Sequence, residues 1–181
     1  MRIAVIGTSG SGKSTLAKRL ARELSLTHIE LDAINWQPDW QGLNEHDPDE
    51  LVRRVDAATS DDGWVAEGGY AQVRPLVWGR AQHLIWLDYP RGLIMRRVIA
   101  RSVLRDIDRK PLWNGNRERA RMWLTREHPI RWAWDSWGPN RKKFSAALAE
   151  PAFAHLAVHR LSDPGQAEAL IARLKTGDPK T

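Results

Sequence analysis

The sequence predicts an α/β fold in three layers: a mostly parallel sheet of five strands with helices on both faces. Two observations carry this. Five short apolar runs recur along the 181 residues, and the segments between them are long enough for helices. A run that is apolar throughout also suits a strand covered on both sides, as right-handed crossover helices produce.

In chain order, RIAVI (2–6) is the first strand. Residues 13–24 form the first helix, where Leu16, Leu20 and Leu24 make a stripe at steps of four. THIEL (27–31) and WVAE (64–67) are the second and third strands, separated by a helix over 49–59 that follows Pro48. HLIWLD (83–88) is the fourth strand, followed by a helix over 90–105. HLAVHRL (155–161) is the fifth, and Ser162-Asp163-Pro164 then starts a helix over 165–174. Nothing resembling a linker or repeat splits the chain, so one domain over 1–181 is expected, with an insertion at about 91–150.

Without cysteine, disulfide and thiolate-metal frameworks are excluded. MRIAVI is too short for a secretory signal, and no apolar run approaches the roughly 20 residues of a membrane span. A soluble cytoplasmic protein is expected. The formal charge of +6 is uneven: residues 91–143 hold 15 Lys/Arg against 5 Asp/Glu, or +10, leaving −4 for the remainder. Such a basic region attracts phosphate, on a nucleotide or on a nucleic-acid backbone.

GTSGSGKS (7–14) places Gly7, Gly12, Lys13 and Ser14 in the pattern G-x-x-x-x-G-K-[ST], between a strand and a helix. Glycines let the backbone curl until successive N–H groups converge on one anion, and the helix N-terminus adds its positive end. Residues Gly7, Thr8, Ser9, Gly10, Ser11, Gly12, Lys13, Ser14 and Thr15 are therefore the expected cradle for the phosphates of ATP. Lys13 reaches the β and γ phosphates, and the Ser14 hydroxyl ligates Mg2+.

Ligands of such sheets bind at the strands' carboxyl ends. Asp32 follows the second strand, where a carboxylate would position an acceptor and help hold the metal, or alternatively cap a helix. Glu30 lies on the same side of the strand. Trp36 and Trp40 offer either a stacking surface for an acceptor or ordinary packing. Gly68, Gly69 and Tyr70 end the third strand, where paired glycines permit close approach to an acceptor or simply make a turn. Arg74 and Arg80 are expected near that edge, holding an acceptor anion or facing solvent. Asp88, ending the fourth strand, is a further candidate for the metal's water shell. Arg97, Arg101 and Arg105 share a helix face and would stabilise the transferring charge, unless they are only a solvated basic face. DRKPLWNGN (108–116) reads as a mobile lid. In IRWAWDSWGPNRKKF (130–144), Trp132, Trp134 and Trp137 alternate with basic residues, which suits either helix packing or a platform for single-stranded nucleic acid.

GTSGSGKSTLAKRLA, LDAINWQPDW, WVAEGGY, VWGRAQHLIWLDYPR and LWNGNRE, in this order, resemble small P-loop kinase-like proteins related to adenylate kinase, including those labelled DNA topology modulation proteins. The resemblance covers roughly residues 1–150. It implies a P-loop NTPase fold of nucleoside monophosphate kinase style with strand order 2-3-1-4-5, a helical acceptor-side segment after the second strand and an arginine-bearing lid. It also implies ATP-dependent phosphoryl transfer with Mg2+ to a small acceptor bearing a hydroxyl or phosphate. Relatives tend to read Asp-Gly-Asn-Tyr where this chain has Glu67-Gly68-Gly69-Tyr70. The acceptor-side arginine pattern of an adenylate kinase is absent from the sequence.

Overall fold

The computed structural model describes residues 1–108, 113–116 and 129–176. The strands β1 (Arg2–Gly7), β2 (Thr27–Glu30), β3 (Trp64–Glu67), β4 (His83–Leu87) and β5 (Ala157–Leu161) form one parallel sheet in the order β2-β3-β1-β4-β5. This is the order that the family resemblance implies. The helices are α1 (Lys13–Leu24), α2 (Leu31–Asn35), α3 (Leu43–His46), α4 (Pro48–Ala58), α5 (Arg74–Arg80), α6 (Arg91–Asp108), α7 (Pro129–Leu148) and α8 (Gln166–Thr176).

β1 is central, and its side chains divide the core. Ile3 and Val5 enter a cluster with Leu16 and Leu20 of α1, Val98 of α6 and Leu170 of α8. Ala4 and Ile6 face the opposite layer, with Leu51 of α4, Trp78 of α5 and Phe144 of α7. Period-two alternation therefore assigns one set of helices to each face.

Local signals set the helix boundaries. α1 buries Leu16, Ala17, Leu20 and Ala21, and stops where Ser25 turns into the left-handed region. α4 starts on Asp47, whose side chain accepts the Glu50 N–H, with Pro48 in the first turn. Before α8, Asp163 Oδ1 accepts the Gly165 N–H while Gln166 Oε1 reaches back to the backbone N–H groups of Ser162 and Asp163, a reciprocal cap on the expected segment. The short α2 and α3 fall where the family resemblance implies a helical segment after the second strand; α5 had no expectation attached to it, because helices of four to seven residues are too short to show a periodic stripe.

His83, at the amino end of β4, and His159, in the middle of β5, stack, with Nδ1 of the first 3.1 Å from Nε2 of the second. Burial lowers the pKa of both; His83 lowers that of His159 further, to about 4. A histidine of the unfolded chain takes its proton near 6.5. The unfolded state therefore binds more protons below that value, so this contribution is complete above about 6.5 and is lost as pH falls towards 4. Urea midpoints at pH 7.5, 5.5 and 4.5 check this: the stability advantage of the native chain over His159→Gln should shrink with each step down.

Candidate active site

The carboxyl ends of β1, β2 and β3 gather most of the expected residues. The loop after β1 folds as a cradle, with Gly7, Gly10 and Gly12 at φ 152°, 82° and 94°. Gly10 shows why the type matters: a Cβ there would sit 2.1 Å from Val98 Cγ2 on α6. Inside the cradle, Lys13 Nζ donates to the Thr8 carbonyl at 3.3 Å, and Ser11 N–H closes the turn onto the same oxygen. Burial lowers the Lys13 pKa, opposed by the charges of Asp32 and Glu67 and reinforced by Arg101. A partly dehydrated ammonium beside two acids results.

α6 approaches this loop from the side. Arg97 Nη1 donates to the Ser11 carbonyl at 2.9 Å, and its guanidinium lies 5.4 Å from the centre of the Tyr89 ring. One turn on, Arg101 Nη2 donates to Ser9 Oγ at 3.2 Å. The spacing of four thus places both arginines on the cradle's rim. The Arg105 side chain lies outside the described residues, as do residues 109–112 of the expected lid and residues 117–128 of the expected insertion.

Glu67 joins the group although no role was expected for it. The residue is 3% exposed at the end of a wholly buried strand. Oε2 accepts the Ser14 hydroxyl at 2.8 Å, and Oε1 faces His28 Nε2 at 3.2 Å. Burial raises its pKa, opposed by the Ser14 bond and by Lys13, while Glu30 pushes it up further. Glu30 stands directly across the ladder from Glu67. A carboxylate within an otherwise apolar strand was the available signal.

On the acceptor side, Asp32 sits in the first turn of α2 and does not cap it. Tyr70 Oη donates to Asp32 Oδ1 at 2.6 Å. Burial and the Asp32 charge both raise the Tyr70 pKa, so the phenol keeps its proton. Gly68, at φ 135°, brings β3 against α2: an added Cβ would be 2.8 Å from Leu31 Cβ. A small cleft opens here, lined by Leu31, Gly68, Gly69, Tyr70, Arg74 and Trp78. Arg74 lies 5.2 Å over the Trp78 ring.

Three expected residues fall elsewhere. Trp36 is not among the cleft's walls; it packs edge-on against Trp40, with ring centres 5.6 Å apart. Arg80 is tied to Asp56 at 2.6 Å and to Thr59 Oγ1, because α5 runs from the carboxyl end of β3 to the amino end of β4. Asp88 is clamped by two arginines: Arg141 Nε is 2.7 Å from Oδ1, and Arg160 Nε is 2.8 Å from Oδ2. The carboxylate thereby pins α7 and β5 to the end of β4 and is not turned to the cradle. Trp132 and Trp134 of α7 are 59% and 51% exposed, yet two residues apart on a helix they point about 200° apart. Arg91 already lies over the Trp134 ring at 3.4 Å, so they do not form one stacking platform.

No family model matches the chain. The shikimate kinase of Synechococcus elongatus is 29% identical over 105 residues, covering 52% of this chain and 55% of that protein. The chain thus spans about half the length of that relative. Adenylate kinase 2 of a Nostoc species is 32% identical over 130 residues, covering 57% of this chain and 70% of that protein. The chain belongs to the adenylate kinase-like P-loop kinases. Neither relative is a DNA topology modulation protein. Solved structures show the same fold for this P-loop kinase chain. The shikimate kinase of Acinetobacter baumannii in complex with shikimate has a TM-score of 0.57 at 18% identity, over 97% of this chain and 90% of that one. Deoxyadenosine kinase from M. mycoides has a TM-score of 0.58 at 13% identity, over 97% of this chain and 100% of that one.

Two outcomes test the packing of this P-loop kinase chain. Asp88→Asn removes the charge that two guanidinium groups share, and should lower the urea unfolding free energy by about 2 kcal/mol, below the range for a fully buried pair because both arginines reach solvent. Gly10→Ala forces a left-handed alanine, costing about 1–2 kcal/mol, and adds the collision with Val98. Adding Val98→Ala should recover only the collision, read as a favourable coupling in a double-mutant cycle.

Proposed function

We propose that this protein transfers the γ-phosphoryl group of ATP to a hydroxyl of a small anionic acceptor. The observation that carries this reading is the convergence at Lys13. Asp32 and Glu67 flank that ammonium within one sheet edge, and Arg97 and Arg101 reach the same loop from α6.

The donor set fits Mg2+. Ser14 and Glu67 offer oxygen ligands only, already 2.8 Å apart, and Mg2+ usually takes one or two protein oxygens with water and phosphates. Among the described residues no group of three or more His, Asp or Glu forms a fuller cage. Bound there, Mg2+ would neutralise charge on the β and γ phosphate oxygens.

The chain's own residues supply the rest. Backbone N–H groups of residues 8–14 cradle the triphosphate, and Lys13 exchanges the Thr8 carbonyl for phosphate oxygens. Arg97 and Arg101 offset negative charge on the transferring oxygens. Asp32, with Oδ1 occupied by Tyr70, presents Oδ2 to the acceptor hydroxyl and takes its proton as the O–P bond forms. Arg74, at the mouth of the cleft beside Gly68 and Gly69, holds the acceptor's negative group. The shikimate kinases among the curated relatives support a compact hydroxy acid over a nucleotide as the acceptor. The shikimate-bound neighbour of the same fold supports that choice.

An ATP-consumption screen over hydroxylated carboxylic acids including shikimate, nucleosides and nucleoside monophosphates tests the reading. Turnover with a hydroxy acid is expected, and turnover with nucleoside monophosphates alone would replace the acceptor assignment. With the acceptor found, Lys13→Ala should abolish transfer while leaving the fold intact; more than about a tenth of the rate would sink the assignment. Asp32→Asn should lower kcat by about 100-fold or more, in line with loss of a positioned base.

A further inference from the structure

We infer that His28 is a positioning residue for the metal-side carboxylate, an inference that rests on the assignment of Ser14 and Glu67 to Mg2+. β2 is an edge strand, and His28 lies opposite Val65 in its ladder with β3. Two residues further along β3, Glu67 is on the same face. The ring thus reaches Glu67 diagonally, with Nε2 3.2 Å from Oε1 and the histidine side chain 21% exposed. A carboxylate can only accept, so the ring donates from Nε2.

The need for such a donor follows from the surroundings of Glu67. Its side chain is 4% exposed, and the Glu30 carboxylate stands directly across the ladder. Burial and Glu30 both disfavour its negative charge; Lys13, Ser14 and His28 favour it. Ser14 and Lys13 belong to the cradle and exchange partners when a nucleotide arrives. His28 belongs to the sheet and stays. With Oε1 fixed by the ring, Oε2 points at the Ser14 hydroxyl, where the metal or its water would be met. Without it, Glu67 is free to turn from Glu30 and lose that aim. Partners that orient a metal ligand in this manner are commonly worth 10–100-fold in metal affinity.

The readout is metal-linked nucleotide binding, which needs no acceptor. Calorimetric titration with ATP in EDTA and with Mg·ATP gives the factor by which Mg2+ tightens binding. His28→Ala should cut that factor by about ten-fold or more, with affinity in EDTA unchanged within about two-fold. His28→Gln, whose amide nitrogen can donate to the same oxygen, should restore most of it. Matching thermal unfolding of the variants checks that the edge strand stays folded. If Glu67→Gln loses the Mg2+ factor and His28→Ala keeps it, the role of His28 is overturned and the metal assignment stands. Equal loss in His28→Ala and His28→Gln also overturns the hydrogen-bond role. If Glu67→Gln keeps the native factor, the metal assignment itself falls, and the role of His28 with it.

Discussion

A carboxylate buried at the end of an apolar strand is the constraint around which this site is organised. Glu67 is almost wholly withdrawn from water, and an isolated ionised carboxylate there would cost several kcal/mol. Its stability requires donors, and they come from three directions. Ser14 lies at the start of α1, His28 on the neighbouring strand, and Lys13 supplies the nearby positive charge. Satisfying Glu67 therefore fixes the start of α1 against the end of β3, and with it the curl of the glycine loop between β1 and α1. The same hydrogen bond that settles an awkward buried charge aligns two oxygens suited to a hard cation.

The second half of the site depends on close backbone approach. Gly68 lets the end of β3 press against Leu31, and that contact brings Tyr70 within reach of Asp32. One oxygen of Asp32 is then occupied by a phenol whose proton is held firmly. Under the proposed assignment the other oxygen would meet the acceptor hydroxyl, so that the carboxylate would take a proton from one side only. Arg74 and Trp78 close the cleft from α5, a helix so short that its only robust sequence marker is Pro75 near its start.

Most of the layout was legible because it depends on local pattern. The five apolar runs fixed the strands to within two residues at either end, and the glycine-lysine-serine motif located the cradle. The strand order came from the family resemblance, not from periodicity. Glu67 was overlooked because a glutamate ending a strand reads as surface unless the ladder beside it is known; its value comes from His28, 39 residues away in sequence. Arg80 and Asp88 failed in the opposite way. Each is a polar residue beside a strand end, but pairing with Asp56, Arg141 and Arg160 follows from where helices return across the sheet, and one-dimensional spacing carries no trace of that.

Two of the most specific sequence motifs also prove to be one structure. In the turn after α2, Asp39 and Trp40 both adopt φ 58°, a conformation costing about 1–2 kcal/mol for each residue that is not glycine. Asn116 offsets that strain: its Oδ1 accepts the Trp40 N–H at 3.0 Å, and its Nδ2 donates to the Gln37 carbonyl at 2.9 Å. Asn114 donates to the Trp36 carbonyl, and Trp113 packs edge-on against Trp40. The backbone N–H of Trp36 in turn caps α2 at the Asp32 carbonyl. Withdrawing residues 113–116 would remove these bonds from the turn beside the helix that carries Asp32. The same chain, a few residues earlier, holds Arg97 and Arg101 against the glycine loop. The glycine loop and the helix that carries Asp32 are consequently both held from the insertion, the first by Arg97 and Arg101 and the second through residues 113–116.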